Sequence, residues 1–110
     1  MIRNNKKKLS PIHPGQILKN QFLIPKQISQ TELAHSINVS LRRVNDICQE
    51  KRAITPDTAL RLALYFNLGN DGVEFWLNLQ QRYEKECWKD YLETQEKAII
   101  KEVHPISCRL

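Results

Sequence analysis

Apolar residues recur along this chain at three- and four-residue spacings, the period of helices that bury one stripe. Ile17, Leu18 and Phe22 share the inner side of a first helix that opens at Pro14 and runs to about Leu23. Ile24-Pro25 is expected to stop it, because the residue before a proline avoids the helical region. Ser29-Gln30-Thr31-Glu32 is a capping box, with Ser29 as N-cap and Glu32 reaching back, and it opens a short helix ending near Ile37. Asn38 tolerates the left-handed backbone that ends helices. Ser40 caps the next helix, from Leu41 to about Gln49. Residues 51–54 connect it to a fourth, where Thr55 is the N-cap and Pro56 the first residue. Its wide apolar face is predicted to hold Ala59, Leu60, Leu62, Ala63 and Phe66, and Gly69, Asn70, Asp71 and Gly72 break the pattern. From Val73 onward, Trp76, Leu79, Tyr83, Cys87 and Tyr91 mark one side of a long amphipathic helix. It is predicted to about Glu86 and by extension to Val103, before His104-Pro105. No stretch reads as a strand, and no Asn-Gly or Asp-Gly joins two alternating runs. The class is all-α, with five or six helices.

At 110 residues, with 41% hydrophobic and 26% charged positions, the chain is one domain able to bury a core. The pattern divides it into a basic, flexible arm over 1–12, a helical domain over 13–83 and a helical extension with a tail over 84–110. No apolar run reaches membrane-spanning length, and the basic start over residues 1–10 has no apolar stretch behind it as a secretory signal would. A cytoplasmic setting is expected. Cys48, Cys87 and Cys108 are odd in number, widely spaced and without a C-x-x-C pair, so they read as reduced thiols. Cys87, His104 and Cys108 make only a partial metal set; no metal or cofactor is expected.

The net charge of +5 is unevenly distributed. Residues 1–52 hold ten Lys and Arg against three acids, whereas residues 53–110 hold seven against nine. A basic half beside a near-neutral one points to a face that meets a polyanion.

Two short helices joined by a three-residue turn form a helix-turn-helix, and residues 30–49 meet its steric requirements. Ala34 is small enough for the two helices to approach, Asn38 accepts the turn's positive φ, and Val39 plugs the turn. Val44 and Ile47 bury the second helix against Leu33 and Ile37. Leu41, Arg42, Asn45, Asp46 and Gln49 remain outward, with Arg43 at the edge. Arginine pairs bidentately with guanine, and asparagine or glutamine with adenine, so this face suits a major groove. Asp46 would read a cytosine amino group or orient Arg42. Gln30, Thr31 and Ser40 sit at helix starts where side chains and free N–H groups meet a phosphate backbone, and Lys51 and Arg52 follow the second helix to grip phosphate. The expected partner is double-stranded operator DNA.

Several stretches recur together: His13-Pro14-Gly15, Ile17-Leu18, Phe22-Leu23, residues 29–34, Val39-Ser40, Arg43-Val44-Asn45, residues 52–63 and residues 75–80. In this order they closely resemble the HigA family of antitoxins, a branch of the lambda-repressor-like helix-turn-helix proteins. The resemblance covers about residues 12–83, and residues 52–63 and 75–80 are its most specific parts. It implies a homodimer that binds a palindrome in its own promoter and neutralises a co-expressed HigB-type toxin, a ribosome-dependent mRNA-cleaving ribonuclease. Asn38 departs from the family's usual turn glycine, Leu41 stands at an often polar position, and residues 84–110 exceed the family's typical end.

Phe75, Trp76, Leu79 and Tyr83 are read as core or as the dimer interface. Trp88, Tyr91 and Leu92 would extend that interface or meet the toxin. Helix 1 and the neighbouring arm are the expected toxin contact, while His13 is a turn residue. An enzyme would need a constellation that is missing here: a glycine-rich phosphate loop, paired histidines, or a Cys–His pair with an orienting group. Two non-enzymatic alternatives stand beside the antitoxin: a stand-alone transcriptional repressor, and a protein-interaction module without DNA affinity.

Overall fold

In a computed structural model the chain is described over residues 10–106, and these residues form five helices and no strand. Helix α1 spans residues 14–26, α2 Gln30–Ile37, α3 Leu41–Cys48, α4 Pro56–Tyr65 and α5 Gly72–Glu102. Residues 1–9 of the expected basic arm, and Cys108 of the partial metal set, lie outside the described residues. Among those described, no three His, Cys, Asp or Glu side chains gather as metal ligands. No helix among them is long and apolar enough to cross a membrane.

The expected caps organise the short helices. The Ser29 hydroxyl accepts the Glu32 amide at 2.9 Å, and the Ser40 hydroxyl accepts the Arg43 amide at 3.1 Å. Asn38 adopts φ 58°, and the Val39 amide then donates to the Ala34 carbonyl at 3.0 Å, which satisfies a carbonyl at the end of α2. Thr55 and Pro56 open α4 as predicted.

Helix α1 does not stop at Ile24-Pro25. Leu18–Leu23 is wound as a π-helix, and the α-helical turn Ile24–Lys26 carries Pro25 within it. The Ile24 amide reaches back five residues to the Lys19 carbonyl. This wider turn makes room for the proline ring, and Asn20 and Gln21 lie exposed where water can satisfy the carbonyl that proline leaves open. The true stop is Gln27 at φ 57°, with the Ile28 amide on the Leu23 carbonyl at 3.0 Å. The extra residue keeps both Leu18 and Leu23 in the core.

One core joins all five helices: Leu18 and Leu23 from α1, Leu33 and Ile37 from α2, Val44 and Ile47 from α3, Ala59 and Leu62 from α4, and Trp76 from α5. Each fully buried leucine or isoleucine contributes about 1.5–3 kcal/mol. Trp76 is 0% exposed and sits 5.0 Å from the Phe22 ring, which in turn meets Phe66 at 4.9 Å. Its indole Nε1 finds no hydrogen-bond partner among the described residues. Leu60, predicted to face inward, is 49% exposed; Thr58 takes the inner position beside Ala59, Leu62 and Ala63.

Two glycines set the closest approaches. A Cβ on Gly15 would collide with the Ile47 carbonyl oxygen of α3, and one on Gly72 would meet the Cβ atoms of Ala63 and Leu68 at 2.7 Å. His13 precedes the first of these contacts. It is buried, its Nδ1 accepts the Gly15 amide at 2.8 Å, and its ring lies edge-on to Tyr83 at 4.7 Å. The turn role read from the sequence is thus an N-cap that locks α1 against α5.

Burial lowers the pKa of the His13 imidazole, against a smaller raising pull from Glu50. The cap also requires an unprotonated Nδ1. The unfolded chain therefore takes up a proton that the folded chain refuses, and stability falls as pH drops through the unfolded value of about 6.5. One such group gives a slope of at most about 1.4 kcal/mol per pH unit. Urea unfolding between pH 7.5 and 5 should show this slope in the wild type. It should be absent in His13→Asn, which keeps a capping oxygen but cannot titrate.

Candidate nucleic-acid interface

The surface that could meet DNA is built on α3, and the contacts behind α3 explain its orientation. Val44, Ile47 and Cys48 are buried, and burial holds the Cys48 thiol above its ordinary pKa, so it is a core residue and not a reactive thiol. Gly15 lets α1 press on the far side of α3, and Ala34 of α2 is buried beneath it. With one face so committed, the opposite face can only point outward.

On that outward face Leu41 and Gln49 are exposed, and the Arg42 side chain is 85% exposed. Asn45 and Asp46 are half-buried, flanking the same surface. Asp46 lies 3.7 Å from Arg42 Nε and 3.9 Å from Arg52 Nη2, the range of ion pairs and too long for hydrogen bonds. Of the two roles weighed for Asp46, these distances fit that of orienting Arg42. Thr31 and Ser40 are exposed and Gln30 is half-buried, all near the helix starts that flank the turn. Lys51 and Arg52 are exposed in the loop after α3.

Arg43 is placed differently from its neighbour. Its side chain is 32% exposed, and Nη1 donates to Asp57 Oδ2 at 3.0 Å. Arg61 Nε donates to the same oxygen at 2.9 Å, and Arg61 Nη1 donates to the Ile37 carbonyl at 2.9 Å. These two hydrogen bonds, Arg61 first and Arg43 second, hold the Asp57 carboxyl below its ordinary pKa, so it stays ionised. Asp57 also stands in the first turn of α4, where a negative charge suits the helix dipole. The sequence alone did not reveal this bridge. The signal was present in the Asp57–Arg61 spacing of four, but the third partner comes from another helix.

The loop carrying Lys51 and Arg52 is fixed from below. Gln80 is buried, its Oε1 accepts the Ile54 amide at 2.8 Å, and its Nε2 donates to Glu84 at 3.0 Å. Gln16 donates to Glu50 at 3.1 Å and ties α1 to the start of the same loop. Neither glutamine was picked out as a positioning residue from the sequence.

The four residues expected at a dimer interface separate in the structure. Trp76 is inside the chain's own core and offers no surface to a partner. Leu79 and Tyr83 are half-buried, and Phe75 is 40% exposed. Farther along α5, Trp88, Tyr91, Leu92 and Ile99 recur at intervals of three, one and seven on an exposed apolar stripe. Helix α5 passes residue 83 without a break, so the expected extension continues the domain's last helix.

Comparison with known proteins places this geometry. Residues 19–69 match a helix-turn-helix family model. The chain is 40% identical to virulence-associated protein I of Dichelobacter nodosus over 96% of its own length and 91% of that protein. It is 34% identical to the antitoxin HigA-1 of Vibrio cholerae, covering 84% of this chain and 83% of that one. It also superposes on the Pseudomonas aeruginosa antitoxin HigA, solved with higBA promoter DNA, with a TM-score of 0.69 and 39% identity; the match covers 88% of this chain and 99% of the other.

Proposed function

Because this chain belongs to the HigA family of helix-turn-helix antitoxin proteins, we propose that it is a sequence-specific DNA-binding autorepressor that also neutralises a HigB-type toxin. The observation that carries the DNA-binding part is the outward face of α3, whose other side is committed to the core. Arg42 is its most exposed side chain, and Asn45 and Gln49 stand beside it to pair with base edges. Lys51 and Arg52 supply phosphate contacts from a loop that Gln80 holds in register. The promoter DNA bound by the Pseudomonas relative supports the same use here.

A single recognition helix reads too few base pairs for useful specificity, so the functional unit is a two-fold dimer with its α3 helices about 34 Å apart. Its seam runs along α5 from Phe75 through the exposed Trp88, Tyr91 and Leu92. Toxin neutralisation uses the surface of the folded domain. Polar disordered segments that fold on a partner are poor in aromatics, whereas this chain is helical over Gly72–Glu102 and carries Trp76, Tyr83, Trp88 and Tyr91 there. Helix α1 is the contact.

Arg42→Ala should cost about 1–3 kcal/mol on the operator and relax base preference at one position. Lys51→Ala should weaken all duplexes alike and lower the salt slope by about 0.9. Wild-type operator affinity in Arg42→Ala would remove α3 as the reading element. Sedimentation at micromolar concentration should give a dimer for the wild type and a monomer for Leu92→Glu; a monomeric wild type, with and without DNA, would overturn the seam. Co-expression with the adjacent gene product should yield a co-purifying complex and restored growth, with little added helix by circular dichroism. If the two proteins neither associate nor rescue growth, a plain repressor takes the antitoxin's place.

A further inference from the structure

Arg42 and Arg43 are adjacent in sequence and differ sharply in freedom. Arg42 extends into solvent, and among the described residues it has an ion pair with Asp46 at 3.7 Å and no hydrogen bond to it. Arg43 is turned sideways onto Asp57, at hydrogen-bond distance from an ionised carboxylate. That carboxylate is itself held. Arg61 donates to the same oxygen, and Arg61 is fixed by the Ile37 carbonyl at 2.9 Å and more weakly by the Asn38 carbonyl at 3.5 Å. The end of α2, the start of α4 and the first turn of α3 therefore form one charged chain beside the outward face. Two guanidinium groups share one carboxylate there, so the three side chains carry one net positive charge.

We propose that Asp57 sets specificity by withholding Arg43 from DNA phosphate, an inference that rests on the DNA-binding reading above. Every duplex offers phosphates, whatever its sequence, so each mobile cation on this face adds sequence-independent affinity and a salt dependence of about 0.9 in the log–log slope. A phosphate can recruit Arg43 only by displacing Asp57 from Nη1. While that exchange is unfavourable, Arg43 acts as a strut between α3 and α4, and Arg42 is the arginine on the recognition helix that reaches DNA.

The test uses the full-length chain and a random-sequence duplex, titrated across a range of salt. Asp57→Asn keeps the shape of the side chain, removes its charge and leaves Arg43 free. Affinity for the random duplex should rise on the order of fivefold near 0.15 M salt, with a slope steeper by about 0.9. Arg43→Gln alone should change neither quantity, and adding it to Asp57→Asn should restore wild-type behaviour. The inference is overturned if Asp57→Asn brings no gain, or if Arg43→Gln alone weakens binding and flattens the slope, since Arg43 would then already lie on phosphate. It is also overturned if the gain from Asp57→Asn persists in the double variant, because relief of repulsion by one carboxylate would then explain it. A wild type that binds no duplex at all is visible before any variant is made, and it overturns the DNA-binding reading together with this inference.

Discussion

The contact between Gly15 and the Ile47 carbonyl sets the distance at which α1 lies against α3, and much of the interface depends on that distance. A methyl group at position 15 would push α3 outward, away from Leu18 and Leu33 beneath it. The close approach explains why His13, Pro14 and Gly15 occur together. The imidazole caps the helix, the proline starts it, and the glycine brings its first turn against a neighbouring backbone. Helix α3 is eight residues long, too short to be stable alone in water, so its shape and direction come from these neighbours.

The elements whose ends carry side-chain caps were legible in sequence. Ser29, Ser40 and Thr55 each announce a helix through an oxygen that accepts the amide three residues on, and Asn38 announces a stop. Such signals are local and do not depend on what the helix packs against. Ile24-Pro25 misled because a proline forbids an ordinary α-helical bond, whereas the chain here winds one turn wider and passes the obstacle. Leu60 misled because helical spacing gives a face but not its edge; the small, hydrogen-bonded Thr58 took the inner place. In the candidate site, the exposure of Arg42 followed from periodicity. The restraint on Arg43 did not, because its partner lies on another helix, fourteen residues on. Gln80 was equally hidden, since a polar residue on a long helix reads as solvated until the amide it satisfies is known.

Acidic side chains on a surface meant for a polyanion look like a contradiction, and their partners resolve it. Asp46 lies between Arg42 and Arg52, and Asp57 between Arg43 and Arg61. In each case one carboxylate lies between two guanidinium groups, at the cost of one unit of attraction, and at Asp57 hydrogen bonds also fix their direction. The basic first half of the chain supplies the long-range pull, and the second half contributes the acid at position 57 that shapes it. The uneven charge of the two halves is thus not a division of labour between two surfaces, because the fold interleaves them across α3 and α4.

The two tryptophans make this protein its own optical reporter. Trp76 is sealed in the core with an indole N–H that meets no partner among the described residues, so its emission should lie toward the blue and shift only when the core opens. Trp88, at the middle of α5, is 53% exposed and should emit toward the red, where quenchers reach it. Twelve residues of one helix separate them, about 18 Å along its axis. A single emission spectrum therefore resolves two events that most small domains confound: loss of the fold, and the covering of α5 by another molecule.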